Sequence, residues 1–144
     1  MSESRDRIIS RALSKMREYD FVDLSDSEIS DMLDPFLKSA EVEFSRICTE
    51  PLDKDKNDEY VNELSDESVE ILALGVVANW ITAYAADADK MRNALGTKDY
   101  SLFSPANLLS TVETMRKDFQ MDFQTSMNKY SFIHGNLLRS GKGV

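Results

Sequence analysis

The side chains able to do nucleophilic or acid–base chemistry are thinly placed in this chain of 144 residues, which has one histidine, His134, and one cysteine, Cys48. A hydroxyl or thiol becomes a nucleophile only when a base beside it takes its proton. A single histidine in an aperiodic stretch near the end of the sequence offers no convincing Ser-His or Cys-His pairing. One thiol forms no intramolecular disulfide, and a lone cysteine at a helical position is ordinarily a small buried residue. Gly135, Gly141 and Gly143 crowd one end with no strand before them, and Gly75 and Gly96 stand alone, so no loop has the glycine spacing that cradles phosphate. The nearest approach to a metal site is Asp53, Asp55 and Asn57, which imitate the first three ligands of a calcium-binding loop. That loop needs glycine at its sixth position and a bidentate glutamate at its twelfth; here those positions hold Asp58 and Leu64. The expectation is a protein with no catalytic, cofactor-binding or metal-binding residues, and not an enzyme.

The elements that would position any site read as helices. With three Pro, five Gly and 42% apolar residues, the chain lacks the turn residues of a sandwich, and its length suits one domain. The central signal is the run from Val69 to Ala86, apolar on nearly every face. A helix of that kind is buried on nearly every face. Glu70, Asn79, Thr82 and the lack of a basic flank before it argue for a core helix over a membrane span. Ser65 is its expected N-cap, with Asp66 and Glu67 in the first turn. Gly75 among Ala73 and Ala78 marks a place where another helix passes close, and Trp80 and Tyr84 share a face.

Before this helix, Ile8, Ile9, Ala12, Leu13 and Met16 recur at helical spacing, with Arg7, Arg11 and Lys15 on the other side. Ser25 and Glu28 fit a capping box that opens a second stripe: Ile29, Leu33, Phe36, Leu37, Ala40, Phe44 and Ile47. Pro35 interrupts that stripe, and its continuity predicts one kinked helix. Residues 49–58 form a polar loop, with a short helical turn expected at Glu59, Tyr60 and Val61. After Gly96, the connector carries Tyr100, Leu102 and Phe103, three large apolar residues that need cover. Ser104-Pro105 reads as an N-cap and first helical position. From there Leu108, Leu109, Val112, Met115, Phe119, Phe123, Met127 and Tyr130 predict a helix of about 25 residues. Beyond it Phe132, Ile133, Leu137 and Leu138 are apolar without period. The fold class is all-α: a helical bundle over residues 1–130 with a long C-terminal helix, then an extended C-terminal tail over 131–144.

Charge is unevenly spread. Residues 90–144 hold eight Lys/Arg and four acids, a balance of +4, which leaves −13 for residues 1–89 out of the total of −9. Arg5, Arg7, Arg11, Lys15 and Arg17 nevertheless make the first helix basic. Basic ends around an acidic middle could suit head-to-tail pairing of subunits, although charged faces also serve simply to keep a helical protein soluble. Direct DNA binding as the main task is disfavoured, since such domains are usually basic. The polar N-terminus lacks the apolar core of a signal peptide, so the expectation is a soluble protein made in the cytoplasm.

The succession Glu70-Ile71-Leu72-Ala73-Leu74-Gly75-Val76-Val77-Ala78-Asn79-Trp80, then Lys98-Asp99-Tyr100-Ser101, then Ser104-Pro105-Ala106-Asn107-Leu108-Leu109 resembles the head–tail connector or adaptor proteins at the neck of tailed bacteriophages. The resemblance spans about residues 10–132 and rests on pattern more than on a diagnostic motif. It implies a structural virion protein forming a ring, commonly of twelve copies, between the portal protein and neighbouring neck or tail proteins. Viral DNA would pass through the lumen without sequence-specific binding, and no catalytic residues carry over. The candidate interface is Tyr100, Leu102, Phe103, Phe132, Ile133, Leu137 and Leu138. Two other readings stay open: a tail or baseplate component, and a small soluble helical binding or regulatory protein.

Overall fold

A computed structural model describes residues 3–17, 26–86 and 105–141, with side chains described over 4–16, 30–83 and 112–135. These residues form four helices: α1 (Glu3–Arg17), α2 (Asp26–Ser45), α3 (Asp66–Ala86) and α4 (Pro105–Gly141). The architecture is all-α, and α3 is the element that the other three share, packing against α1, α2 and α4. No helix among the described residues is long and apolar enough to cross a membrane.

The burial of α3 follows from its composition. Ser68, Val69, all of Ile71–Ala78, Trp80 and Ile81 are buried, so no face is left for solvent along most of its length. The helix begins as its sequence signals: the Ser65 hydroxyl accepts the Ser68 N–H at 3.2 Å, and the Ser65 carbonyl accepts the Val69 N–H at 3.0 Å. Gly75 is the crossing point. A Cβ at that position would lie 2.6 Å from Ala40 Cβ and 2.8 Å from Phe123 Cζ. Helices α2 and α4 both come close here because glycine presents no side chain.

The three outer helices each bury one stripe. In α1, Ile8, Ile9, Ala12, Leu13 and Met16 are all buried. Its basic face lies along acids of the core helix and its approach: Arg7 pairs with Asp66, Arg11 Nη1 lies 3.1 Å from Glu70 Oε1, and Lys15 Nζ lies 2.7 Å from Glu70 Oε2. Arg5 reaches α2, where it donates to the Ser30 hydroxyl and to Asp34 at 3.0 and 3.2 Å. Helix α2 runs through Pro35 without stopping, and Leu33, Leu37, Ala40 and Phe44 are buried on it. Just after the proline, the Phe36 carbonyl accepts Asn79 Nδ2 of α3 at 3.2 Å. Ser25 and the side chains of Ile29 and Tyr84 lie outside the described residues. Helix α4 buries Val112, Met115, Phe119, Phe123, Met127 and Tyr130. It has 37 residues, about 55 Å at about 1.5 Å per residue. The helical backbone therefore passes Tyr130, where the apolar period fades, and continues to Gly141.

The connector between α2 and α3 departs from expectation. No helical turn forms at Glu59–Val61. Instead Asp55 N–H donates to the Glu59 carbonyl at 2.8 Å, Val61 N–H donates to the Asp53 carbonyl at 2.9 Å, and Lys54 and Tyr60 form an isolated antiparallel bridge. The cause is Asp55, whose carboxylate accepts the N–H groups of Asn57 and Glu59 at 2.8 and 3.1 Å. An Asp side chain that captures the amides two and four residues on closes a turn before a helix can start. Asp58 then takes the left-handed conformation, with φ of 63°, which Asp tolerates better than most residues. Tyr60 and Leu64 dock on the core as expected, but Val61 faces solvent.

Candidate functional site

Helices α3 and α4 run in opposite directions, since Thr82 meets Gln120 at 2.7 Å, Gly75 meets Phe123, and Glu67 meets His134 at 3.0 Å. This brings the later turns of α4 beside the start of α3 and the end of α2. Tyr130 is the anchor there. It is buried, its ring meets the edge of Phe44 with centroids 5.0 Å apart, and its hydroxyl accepts the Thr49 N–H at 3.1 Å. The same hydroxyl lies 2.9 Å from Thr49 Oγ1 and 3.7 Å from Cys48 Sγ. Burial pushes the Tyr130 hydroxyl above its ordinary pKa, so it stays protonated and acts as a hydrogen-bonding peg.

One turn later, His134 stacks on Tyr130 with ring centroids 4.1 Å apart and an interplanar angle of 32°. Its Nε2 lies 3.0 Å from Glu67 Oε1 in the first turn of α3. Glu50 completes the cluster. It accepts the Ser65 N–H at 2.9 Å and the Ser65 hydroxyl at 2.8 Å, and it also accepts the Ser68 hydroxyl. Burial raises the Glu50 carboxyl, but the hydrogen bonds from Ser68 and Ser65, with His134 nearby, bring it below the usual carboxylate range. A histidine oriented by a carboxylate is half of a catalytic dyad. The nearby hydroxyls of Ser65 and Ser68, however, donate to Glu50. What the cluster does chemically is tie the start of α3, the end of α2 and the far part of α4 together.

A second polar cluster lies across the connector. Glu41 accepts the Tyr60 hydroxyl and pairs with Lys54 Nζ at 3.0 Å, and Lys54 sits 5.0 Å from the Tyr60 ring centroid. Burial and the Glu41 carboxylate push the Tyr60 hydroxyl far above its ordinary pKa. Beside it is an open depression of about 560 Å³ whose lining mixes Lys38, Lys54, Glu41 and Asp58 with Val42 and Leu52. The charges around it are paired with one another, Lys38 with Asp34 and Asp58, and Lys54 with Glu41 and Asp58. Among the described residues no three His, Cys, Asp or Glu side chains converge as a metal site. The carboxylate of Asp55 serves its own turn.

The expected interface residues divide by position. Phe132 and Ile133 are on α4, one turn past the anchor, and expose 71% and 48% of their surface. Met121, 66% exposed, lies eleven residues before Phe132 and therefore on the same side of the helix. Leu137 and Leu138 lie on the helical backbone, but their side chains are outside the described residues, as are Tyr100, Leu102 and Phe103 altogether. Sequence reasoning missed the Tyr130–His134–Glu67 contact because it placed His134 in an extended tail. The signal was present: Tyr130 and His134 are four apart, the spacing of neighbours on one helix face. Comparison with protein-family models, with curated proteins and with solved structures finds no match.

Proposed function

We propose that this chain is a structural assembly subunit, an adaptor that forms a ring at the neck of a tailed-phage virion, between portal and tail. The observation that carries the reading is the far end of α4. Its stripe is buried as far as Tyr130, and the next turn then presents Phe132 and Ile133 to solvent on regular helix. Large apolar side chains held outward on an ordered element are the usual material of a protein contact. Together with Tyr100, Leu102, Phe103, Leu137 and Leu138 they form the surface assigned to neighbouring copies and to portal or tail proteins. The basic residues of α1 are not assigned to subunit pairing, because Arg5, Arg7, Arg11 and Lys15 already meet acids of their own chain. The resemblance in the α3 and 98–109 stretches names the particle, and passage of DNA through the lumen belongs to the same proposal.

The test is the mass of the purified chain by light scattering, alone and with portal protein, with negative-stain images of both. Closed rings, commonly of twelve copies, are expected at least with portal present. Phe132→Ser with Ile133→Ser should abolish them while leaving the helical content unchanged. A chain that stays monomeric with portal and is missing from virions by mass spectrometry overturns the reading, and leaves a small helical binding protein.

A further inference from the structure

We propose that the outward face of α4 is a self-association surface, on which α4 of a second copy of this chain lies antiparallel. Met121 and Phe132 stand exposed on the side opposite the buried stripe. They are eleven residues, or about three helical turns, apart. Between them on that side are Thr125 and Asn128, both exposed and uncharged, and the Asn128 side-chain oxygen already accepts the Gln124 amide at 3.0 Å. The positions 121, 125, 128 and 132 step by four, three and four residues, the spacing of a seam between two paired helices. An ordinary surface helix puts its charges opposite its apolar stripe. Here they are set to the sides, with Asp118, Asp122 and Lys129 on one flank and Lys117 on the other. Gly135 lies on the same outward side. Inside a helix glycine is costly without a packing reason, and at Gly75 that reason is a crossing within the chain. At Gly135 a Cβ would meet only the Ser131 hydroxyl, at 3.7 Å, so the room it leaves is for a helix from outside.

The charges choose the occupant and its direction. Asp118 and Asp122 are one turn apart and repel each other. Neither they nor Lys129 has an ion-pair partner among the described residues. All three share one flank of α4, and two identical helices packed antiparallel about a twofold axis set that flank against itself. With the axis midway between Thr125 and Asn128, Met121 of each copy meets Phe132 of the other, a thioether against an aromatic ring. Lys129 of the second copy is then offset from Asp122 by only about 3 Å along the helix axis, and the symmetry repeats the pair. A parallel arrangement would turn the same flank toward the one that carries Gln124, and would leave Lys129 facing an amide. One surface therefore answers both the apolar positions and the charges, and it is this surface itself. From Asp118 to Gly135 the seam is about 26 Å long, a small interface that holds two copies weakly.

The inference does not rest on the neck reading, and the isolated chain tests it. Sedimentation equilibrium of the full-length protein is measured from about 5 μM to about 1 mM, the range in which a weak pair forms. A monomer–dimer equilibrium is expected. Met121→Ser and Phe132→Ser should each weaken it by about tenfold or more, with helical content by circular dichroism unchanged. Asp122→Lys and Lys129→Asp should each weaken it by about tenfold, because either change sets like charges together twice across the axis. Mixed in equal amounts, these two charge variants should pair with one another as firmly as unmodified chains do. A chain carrying both reversals should again pair with itself. Monomers throughout the range, or pairs that both serine variants leave intact, overturn the proposal, and charge variants whose mixture fails to pair overturn the antiparallel arrangement. Closed rings in place of pairs in the isolated chain overturn it while supporting the neck reading, so the two readings fail separately.

Discussion

Helix α3 meets its neighbours in two different ways, and the contrast shows what each kind of contact can specify. Where it crosses α2 and α4, the contact is dry and steric. Gly75 leaves room for Ala40 on one side and the Phe123 ring on the other, and neither could stay if a methyl group were added. Where α3 begins, it meets α1 through a row of ion pairs laid over a buried stripe. Arg7 meets Asp66 and Glu63, and Glu70 takes both Arg11 and Lys15, with Ile8 and Ala12 beneath. The steric crossing fixes distance, because packed interiors resist even a single methylene. The charged row adds little energy, because partly exposed pairs are screened by water. It selects which side of α1 faces the acidic start of α3, and it neutralises much of the basic character of α1 within the chain.

Breaking the steric crossing should have the largest effect. Gly75→Ala adds a better helix former, worth about 1 kcal/mol, yet inserts a Cβ 2.6 Å from Ala40 Cβ. The overpacking should win by about 1–3 kcal/mol, lowering the melting temperature by roughly 3–10 °C. The single tryptophan, Trp80, is buried in α3 and reports unfolding by fluorescence. An unchanged or higher midpoint would mean that the two neighbouring helices yield more easily than their contacts imply.

Acid should loosen the charged contacts next. Burial raises the Asp34 carboxyl, but Arg5 and Lys38 bring it below its ordinary 3.8, and Glu50 is likewise held below 4.5. A carboxylate whose pKa is lowered by folding stabilises the native state above its unfolded pKa, and that contribution is lost as pH falls through the folded value. The unfolding free energy from urea titration should thus be flat from about pH 7 to 5 and decline below about pH 4.5, by roughly 1 kcal/mol in total after screening. A decline that starts near pH 6 would point to another group. The smallest effect is expected from Glu70→Gln, which removes the partner of Arg11 and Lys15. The loss should be under about 1 kcal/mol and should shrink as salt is added. A larger, salt-insensitive loss would show that this row contributes to stability much as the crossing does.

Legibility in the sequence followed the range of the interaction. The five apolar positions of α1, the six described positions of the α4 stripe and the Ser65 cap are local patterns, and each is where its spacing predicts. Gly75 was legible as a close approach, because a glycine inside an apolar helix is costly without a packing reason. The turn around Asp55 was misread as helical because one carboxylate reaching two amides leaves no periodic trace. His134 was misplaced because the apolar period stops at Tyr130 while the helix does not. There His134 meets the Tyr130 ring and the carboxylate of Glu67, 67 residues away in the chain.

The sequence by itself determined that this protein is helical and that α3 is its centre. It also determined which face of each outer helix is buried, since helical period and the cost of exposing apolar surface are enough for that. Only the tertiary structure decided that α2 and α4 cross α3 at one glycine, that α1 answers the acids of α3 and α2, and that His134, past the apolar stripe of α4, meets Tyr130 and Glu67. Those are matters of which surfaces meet, and they depend on shapes and charges contributed by residues far apart in the chain.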